Sequence, residues 1–185
     1  GIKTGRLSGI VAHYVPSYMR RNNMPSWETN SIDNWEEKIL KICDETSKEQ
    51  MTVIGGIPSW VQMYFEKLIS LNKKQNISQL FEKFSLYIYG GVNYSPYEKI
   101  FKKLIGKKID SIEYFPASEG FFAYQNDQKD KSMLLQYDSG IYFEFIKAED
   151  YEKNNSERFN LSNIEINTNY VLIVSTNAGL WAYNT

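Results

Sequence analysis

Between Met51 and Phe115, short runs of β-branched and aromatic residues alternate with stretches whose apolar positions recur at helical spacing, the pattern of a parallel sheet with crossover helices. Thr52-Val53-Ile54 reads as a strand. Gly55-Gly56 breaks it, Pro58 suits a first helical turn, and Trp60, Val61, Tyr64, Phe65, Leu68 and Ile69 then fall on one helical face. Leu86 to Tyr89 predicts a second strand, ended by Gly90-Gly91. Ser95-Pro96-Tyr97-Glu98 has the form of a capping box with Pro at the first helical position. The helix it opens sets Tyr97, Ile100, Phe101, Leu104 and Ile105 on one face and Lys99, Lys102 and Lys103 on the solvated side. Asp110 to Phe115 predicts a third strand, completing a βαβαβ order.

On either side the pattern changes. Residues 1–30 are irregular, with Pro16, Pro25, Arg20-Arg21 and Asn22-Asn23 pointing to loops and short helices. A helix follows, with Asp33 as its cap three residues before Glu36 and a stripe of Trp35, Ile39, Leu40 and Cys43. From Gly120 onward the spacing is antiparallel: Phe121 to Tyr124, Met133 to Tyr137, a turn at Asp138-Ser139-Gly140, Ile141 to Ile146, and Tyr170 to Ser175. The polar runs Gln125 to Ser132 and Glu149 to Glu157 connect them. The expected class is α/β, a βαβαβ parallel sheet followed by antiparallel strands. The expected parts are 1–50, irregular and helical; 51–120, the α/β core; and 121–185, the antiparallel part.

Composition narrows the function. The 185 residues are 42% hydrophobic and 23% charged, enough for a real core. A formal net charge of -1 leaves no basic excess to neutralise a nucleic-acid backbone, and no apolar run is long enough to span a membrane, so neither partner is expected. One cysteine, Cys43, and one histidine, His13, exclude a disulfide framework and a Cys/His zinc site. A Ser-His-Asp hydrolase would have to use His13, and no Gly-x-Ser-x-Gly elbow accompanies it. The absent initiator Met and the apolar residues near Thr185 suggest a segment of a longer protein, with sequence missing on both sides.

The chemistry-bearing run is Tyr114-Phe115-Pro116-Ala117-Ser118-Glu119-Gly120. It places a hydroxyl and a carboxylate just past a strand, between Phe115 and the pair Phe121-Phe122, at the edge where open α/β sheets bind ligands. Rings to stack a base, donors for a phosphate and a carboxylate able to hold Mg²⁺ describe a nucleotide or phosphate site. A polar turn closing a strand accounts for the same residues.

In order along the chain, Gly56-Ile57-Pro58-Ser59-Trp60, Gly90-Gly91-Val92-Asn93, Ala117-Ser118-Glu119-Gly120-Phe121-Phe122, Gly140 to Ile146 and Ser175 to Trp181 resemble the adenylate-forming superfamily of acyl-CoA synthetases, luciferases and adenylation domains. Within it the chain most resembles the auxin-responsive promoter family of acyl-acid amido synthetases, in its bacterial form. The resemblance implies a central fragment of the large domain of an ATP-dependent, cytoplasmic ligase that adenylates a carboxylic acid and transfers the acyl group to an amine or amino acid. It implies ATP and Mg²⁺ as cofactors, with 51–120 as the nucleotide-binding core. By the same resemblance, Phe115 stacks on adenine where the family usually has Tyr, Ser118 contacts the α-phosphate and Glu119 holds Mg²⁺. Gly90, Gly91, Val92, Ala117, Gly120 and Phe122 complete the nucleotide site, and Trp60 and Tyr64 line the acyl pocket, though core packing explains these two equally well.

Two departures matter. The family's Ser/Thr/Gly-rich phosphate loop, the Gly-Asp expected after Tyr183-Asn184-Thr185 and the C-terminal lid lie outside this sequence, and Ala182 stands where the family commonly places Arg. The fragment alone is therefore expected to be inactive. A non-catalytic nucleotide- or acyl-binding module and a ligase forming an acyl-CoA thioester remain the alternatives.

Overall fold

The computed structural model describes residues 15–153 and 155–184; His13 and the first part of the expected irregular segment lie outside them. The chain divides into two compact units, the first ending at Glu113 and the second beginning at Tyr114. The expected helical segment before residue 50 thus belongs to the same unit as the first two strands. No described helix is long and apolar enough to cross a membrane.

In the first unit, two one-turn helices, α1 (Ser17–Arg20) and α2 (Trp27–Asn30), lead into α3 (Trp35–Thr46). The cap of α3 is Asn34, whose side chain accepts the Glu37 N–H at 2.9 Å, one residue later than the Asp33 expected. Both residue types can cap, and with the helix starting at Trp35 it is the Asn34 amide that reaches the free N–H. Strand β1 (Val53–Gly55) pairs in parallel with β2 (Leu86–Gly90), joined through α4 (Pro58–Asn72), which carries Pro at its start. Ser85 N–H donates to Thr52 O at 2.9 Å and Asp110 N–H to Ser85 O at 3.0 Å, so each new strand starts beside the start of the last. That arrangement follows from crossover helices returning the chain to the same edge.

Helix α5 (Glu98–Ile105) departs from expectation at its entry. The Ser95-x-x-Glu98 capping box does not form: the helix begins at Glu98 after an uncapped Tyr97. Instead the Asn93 side chain accepts the Ser95 N–H at 2.9 Å, drawing Ser95 and Pro96 into a turn ahead of the helix. The helix buries Phe101 and Ile105 and exposes its lysines, but Ile100, expected on the apolar face, is 41% exposed. The core gathers Phe65, Leu68, Ile77, Phe81, Phe84, Tyr87 and Phe101, each essentially without exposure. Cys43 belongs to the same core at 1% exposure, and burial pushes its thiol up to about 11 against a small opposing effect of Lys67, so it is an inert apolar filler.

Strand β3 (Asp110–Ala117) begins in the first unit and ends in the second, where it pairs antiparallel with β4 (Gly120–Tyr124). It runs two residues beyond the predicted end. Met133 to Tyr137 forms only a short strand, β5 (Leu134–Leu135), antiparallel to β4. A second sheet has the order β6 (Ile141–Lys147), β7 (Tyr170–Thr176), β8 (Tyr183–Asn184), all antiparallel. Phe122, Phe143 and Val174 form the core of this unit. The class is the expected α/β, with parallel strands first and antiparallel strands after.

One polar joint ties the N-terminal helices to α3. The Glu45 carboxylate accepts the Ser26 N–H at 2.8 Å, the Ser26 hydroxyl at 2.7 Å and the Thr29 hydroxyl at 2.5 Å. Desolvation raises its pKa, but these bonds and the charge of Lys41 outweigh it, so the carboxyl titrates below the ordinary range. A depressed folded-state pKa contributes stability above the unfolded-state value and loses it as pH falls through the folded one. Glu45→Gln is expected to cost about 1–2 kcal/mol at neutral pH and to flatten the acid limb of the stability profile. Urea unfolding of both proteins across the acid range measures this; parallel profiles would contradict it.

Candidate functional site

The sequence-proposed residues fall in both units, and each group is built by its own element. In the first unit, β2 ends at the buried Gly90, and Gly91 adopts φ 80°, a left-handed conformation suited to glycine. Val92 and Asn93 follow as an exposed loop. Trp60, on the first turn of α4, is 45% exposed and meets Trp35 edge to face, ring centroids 4.5 Å apart. Its ring is therefore held against Trp35 while part of the side chain remains exposed.

Tyr64 is placed differently. It is 7% exposed, and its hydroxyl donates to Thr46 Oγ1 at 2.7 Å. Burial pushes the phenol up to about 12, moderated by that hydrogen bond. This puts Tyr64 in the core rather than on a pocket wall: four residues from Trp60, it lies on the α4 face that packs against α3.

In the second unit, Ala117 pairs with Gly120, leaving Ser118 and Glu119 as the two-residue turn between β3 and β4. The ladder is irregular next to it. Tyr114 pairs with Tyr124 and Phe115 with Ala123, but Pro116 pairs with Phe121, so Phe122 is an extra residue on β4. Pro116 lacks the N–H a regular ladder would use, and a bulge opposite it accommodates that loss.

The bulge sorts the rings. Phe122 is fully buried and meets Phe143 at 6.1 Å, edge to face. Phe115 sets its ring at 80° to Phe122 with centroids 5.2 Å apart and stays 37% exposed. Phe121 stacks between Tyr114 and Tyr124 at 6.2 and 6.3 Å. Gly120 sits tightly against the β6 side chain Ile141, where an added Cβ would come within 2.7 Å of Cδ1.

Ser118 is exposed and Glu119 half-buried. Among the described residues neither side chain has a hydrogen-bond or ion-pair partner, so both are free to engage a ligand. Phe115, Ala117, Ser118, Glu119, Gly120 and Phe122 are thus brought together on one hairpin. Ala182, in the arginine position of the resembled family, has φ 49° and donates its N–H to Ser175 Oγ at 2.9 Å.

Sequence reasoning missed the tyrosines behind the glycine pair. Tyr89 and Tyr94 stack with centroids 4.3 Å apart. Burial raises both phenols, Tyr94 to about 12, with the neighbouring Glu98 adding to it. The density of tyrosine between residues 87 and 97 was the available signal, and it reads equally as core.

Comparison with known proteins then bears on this geometry. Residues 134–185 match the model of the GH3 family central domain. Among solved structures, the chain is similar to a GH3.15 acyl acid amido synthetase, with a TM-score of 0.62 over 85% of this chain and 12% sequence identity. The chain spans 37% of the length of that structure. At that identity the likeness shows the fold. No curated protein matches the sequence. The family match covers the last strands, and the shared fold extends over most of the chain.

The two hairpin rings should separate cleanly by substitution. Phe122→Ala removes a fully buried ring and is expected to destabilise by about 3–5 kcal/mol. Phe115→Ala gives up one edge contact of a partly exposed ring and is expected to cost about 1 kcal/mol or less. Urea unfolding followed in the second unit measures both, and equal losses would show that Phe115 belongs to the core.

Proposed function

We propose that the parent protein activates a carboxylic acid with ATP and Mg²⁺ and passes the acyl group to an amine, with amino acids as the leading acceptor class. The observation that carries this reading is the unpaired Ser118–Glu119 turn beside the open Phe115 ring, in a chain with the fold of an acyl acid amido synthetase.

The residues suit the proposed cofactors. Among the described residues no cluster of three or more His, Cys, Asp or Glu could enclose a metal, and the turn itself carries one carboxylate, Glu119. That donor set fits Mg²⁺, which keeps waters and takes its other oxygens from phosphates. When bound, the ion would neutralise phosphate charge during displacement. Within the second unit, Phe115 provides a ring face for a base and the Ser118 hydroxyl a donor for a phosphate oxygen; the first unit, by itself, offers the exposed loop after Gly90. Trp60 remains as apolar surface for the acyl group.

In the first step a carboxylate oxygen attacks the α-phosphorus, the bond to pyrophosphate breaks, and AMP becomes the leaving group. In the second, the amine nitrogen attacks the activated carbonyl, the bond to AMP breaks, and the amine loses a proton. The hairpin's task is orientation and dispersal of charge, because each displacement needs its reacting atoms in line.

Ala182 favours a second reading, a nucleotide- or acyl-binding module without turnover, since no cationic side chain stands at that position. ATP–pyrophosphate exchange by the full-length parent with a panel of carboxylic acids distinguishes the two. Glu119→Ala is expected to lower exchange by roughly 10²- to 10³-fold, while changing unfolding free energy by about 0.5 kcal/mol or less, as a turn side chain without partners should. Binding of ATP with no exchange for any acid would favour the binding module, and equal loss of folding and exchange would remove Glu119 as the metal ligand.

A further inference from the structure

The loop that follows β2 is held from behind by an aromatic clamp. Gly91, Val92 and Asn93 are all exposed, and among the described residues none of the turn and loop hydrogen bonds involves their backbone N–H or C=O groups. Such a segment ordinarily samples many conformations, because nothing local fixes its dihedrals. Here both of its ends are anchored.

Before it, Tyr89 is buried in β2. After it, Tyr94 folds back so that its ring stacks on Tyr89 with centroids 4.3 Å apart and planes 26° off parallel. The Tyr94 ring also meets Tyr87 at 5.8 Å and Phe101 at 5.6 Å, both edge to face. Its carbonyl accepts the Tyr97 N–H at 2.8 Å, and the Asn93 side chain accepts the Ser95 N–H, so the chain is fixed again immediately downstream. The three-residue bridge therefore spans a gap set by a ring stack, with all three of its residues exposed.

We propose that Tyr94 is the positioning residue of this loop: by stacking on Tyr89 it holds Gly91, Val92 and Asn93 in one conformation, so that their backbone groups are arranged for a nucleotide before it arrives. The identity of the ligand rests on the function proposed above; the clamping itself does not. A loop ordered in the free protein binds more tightly than one that must be ordered on contact, because part of the entropic cost is already met. The clamp works through ring contact, and no hydrogen bond is recorded for the Tyr94 hydroxyl among the described residues, so the ring rather than the phenol carries the effect.

The test uses ¹⁵N relaxation of the full 185-residue chain in three forms: wild type, Tyr94→Phe and Tyr94→Leu. In the wild type and in Tyr94→Phe, the amides of Gly91, Val92 and Asn93 are expected near the rigid-backbone order parameter of about 0.85, and in Tyr94→Leu below about 0.6. Titration with ATP and Mg²⁺ should perturb those amides, and Tyr94→Leu should weaken the affinity roughly three- to tenfold, the equivalent of one aromatic stack, with Tyr94→Phe close to wild type. Order parameters unchanged in Tyr94→Leu, or lowered equally throughout α4 and α5, would overturn the positioning role. Binding of ATP without any change at the loop would overturn its contact with the nucleotide. A wild-type chain that fails to bind ATP would count against the nucleotide reading, while the ligand-free order parameters would still decide whether Tyr94 holds the loop.

Discussion

The first unit depends on one side chain, Tyr87. It is 1% exposed in the middle of β2, its ring lies face to face with Phe101 at 5.0 Å, and its hydroxyl donates to Gly56 O at 3.1 Å. That single residue joins the strand to the helix that follows it and to the turn between β1 and α4. A buried phenol is tolerable only if its hydroxyl finds a partner, and the carbonyl supplied by the Gly55-Gly56 break meets that need. The consequence is positional: with α5 fixed against β2 by ring stacking, the chain between them is confined to a short path, and Tyr94 and the exposed glycine loop fall along it.

In the second unit the equivalent constraint is a missing donor. Pro116 has no N–H to give the β3–β4 ladder, and beside it the register shifts, with Phe122 as an extra residue. The bulge turns Phe122 into the core against Phe143 and leaves Phe115 partly open at the same end of the hairpin as Ser118 and Glu119. A regular ladder would give the rings strict alternation and no reason for one of a contacting pair to be buried and the other exposed. Local backbone chemistry and the presentation of the candidate site are thus one event.

Much of this was legible in the sequence because it is local. Pro58 and the periodicity through Ile69 fix α4, the glycine pairs mark the ends of β1 and β2, and the Ser118–Glu119 turn lies where the aromatic runs flank it. What was not legible depends on competition or on distance. Asn93 takes the N–H of Ser95 and displaces the expected capping box, Asn34 outcompetes Asp33, and Met133 to Tyr137 pairs through only two residues. The core role of Tyr64 and the Tyr89–Tyr94 stack both require knowing what lies across the fold. Helical spacing places Tyr64 and Trp60 on one stripe, and only the partner helix decides that one is buried and the other is not.

The distribution of charge bears on how the hairpin could act. If phosphate oxygens sit beside Ser118, their charge must be balanced, and an unaided carboxylate at Glu119 would repel them. Ala182 contributes a methyl group where a guanidinium would stand in the resembled family, and its backbone N–H is already engaged by Ser175. On the function proposed above, a cation held by Glu119 would supply that balance at the turn. On that reading, nucleotide binding would depend on the metal. Glu119 would then govern both turnover and simple binding, whereas in an ordinary polar turn an unpaired carboxylate would be indifferent to ions.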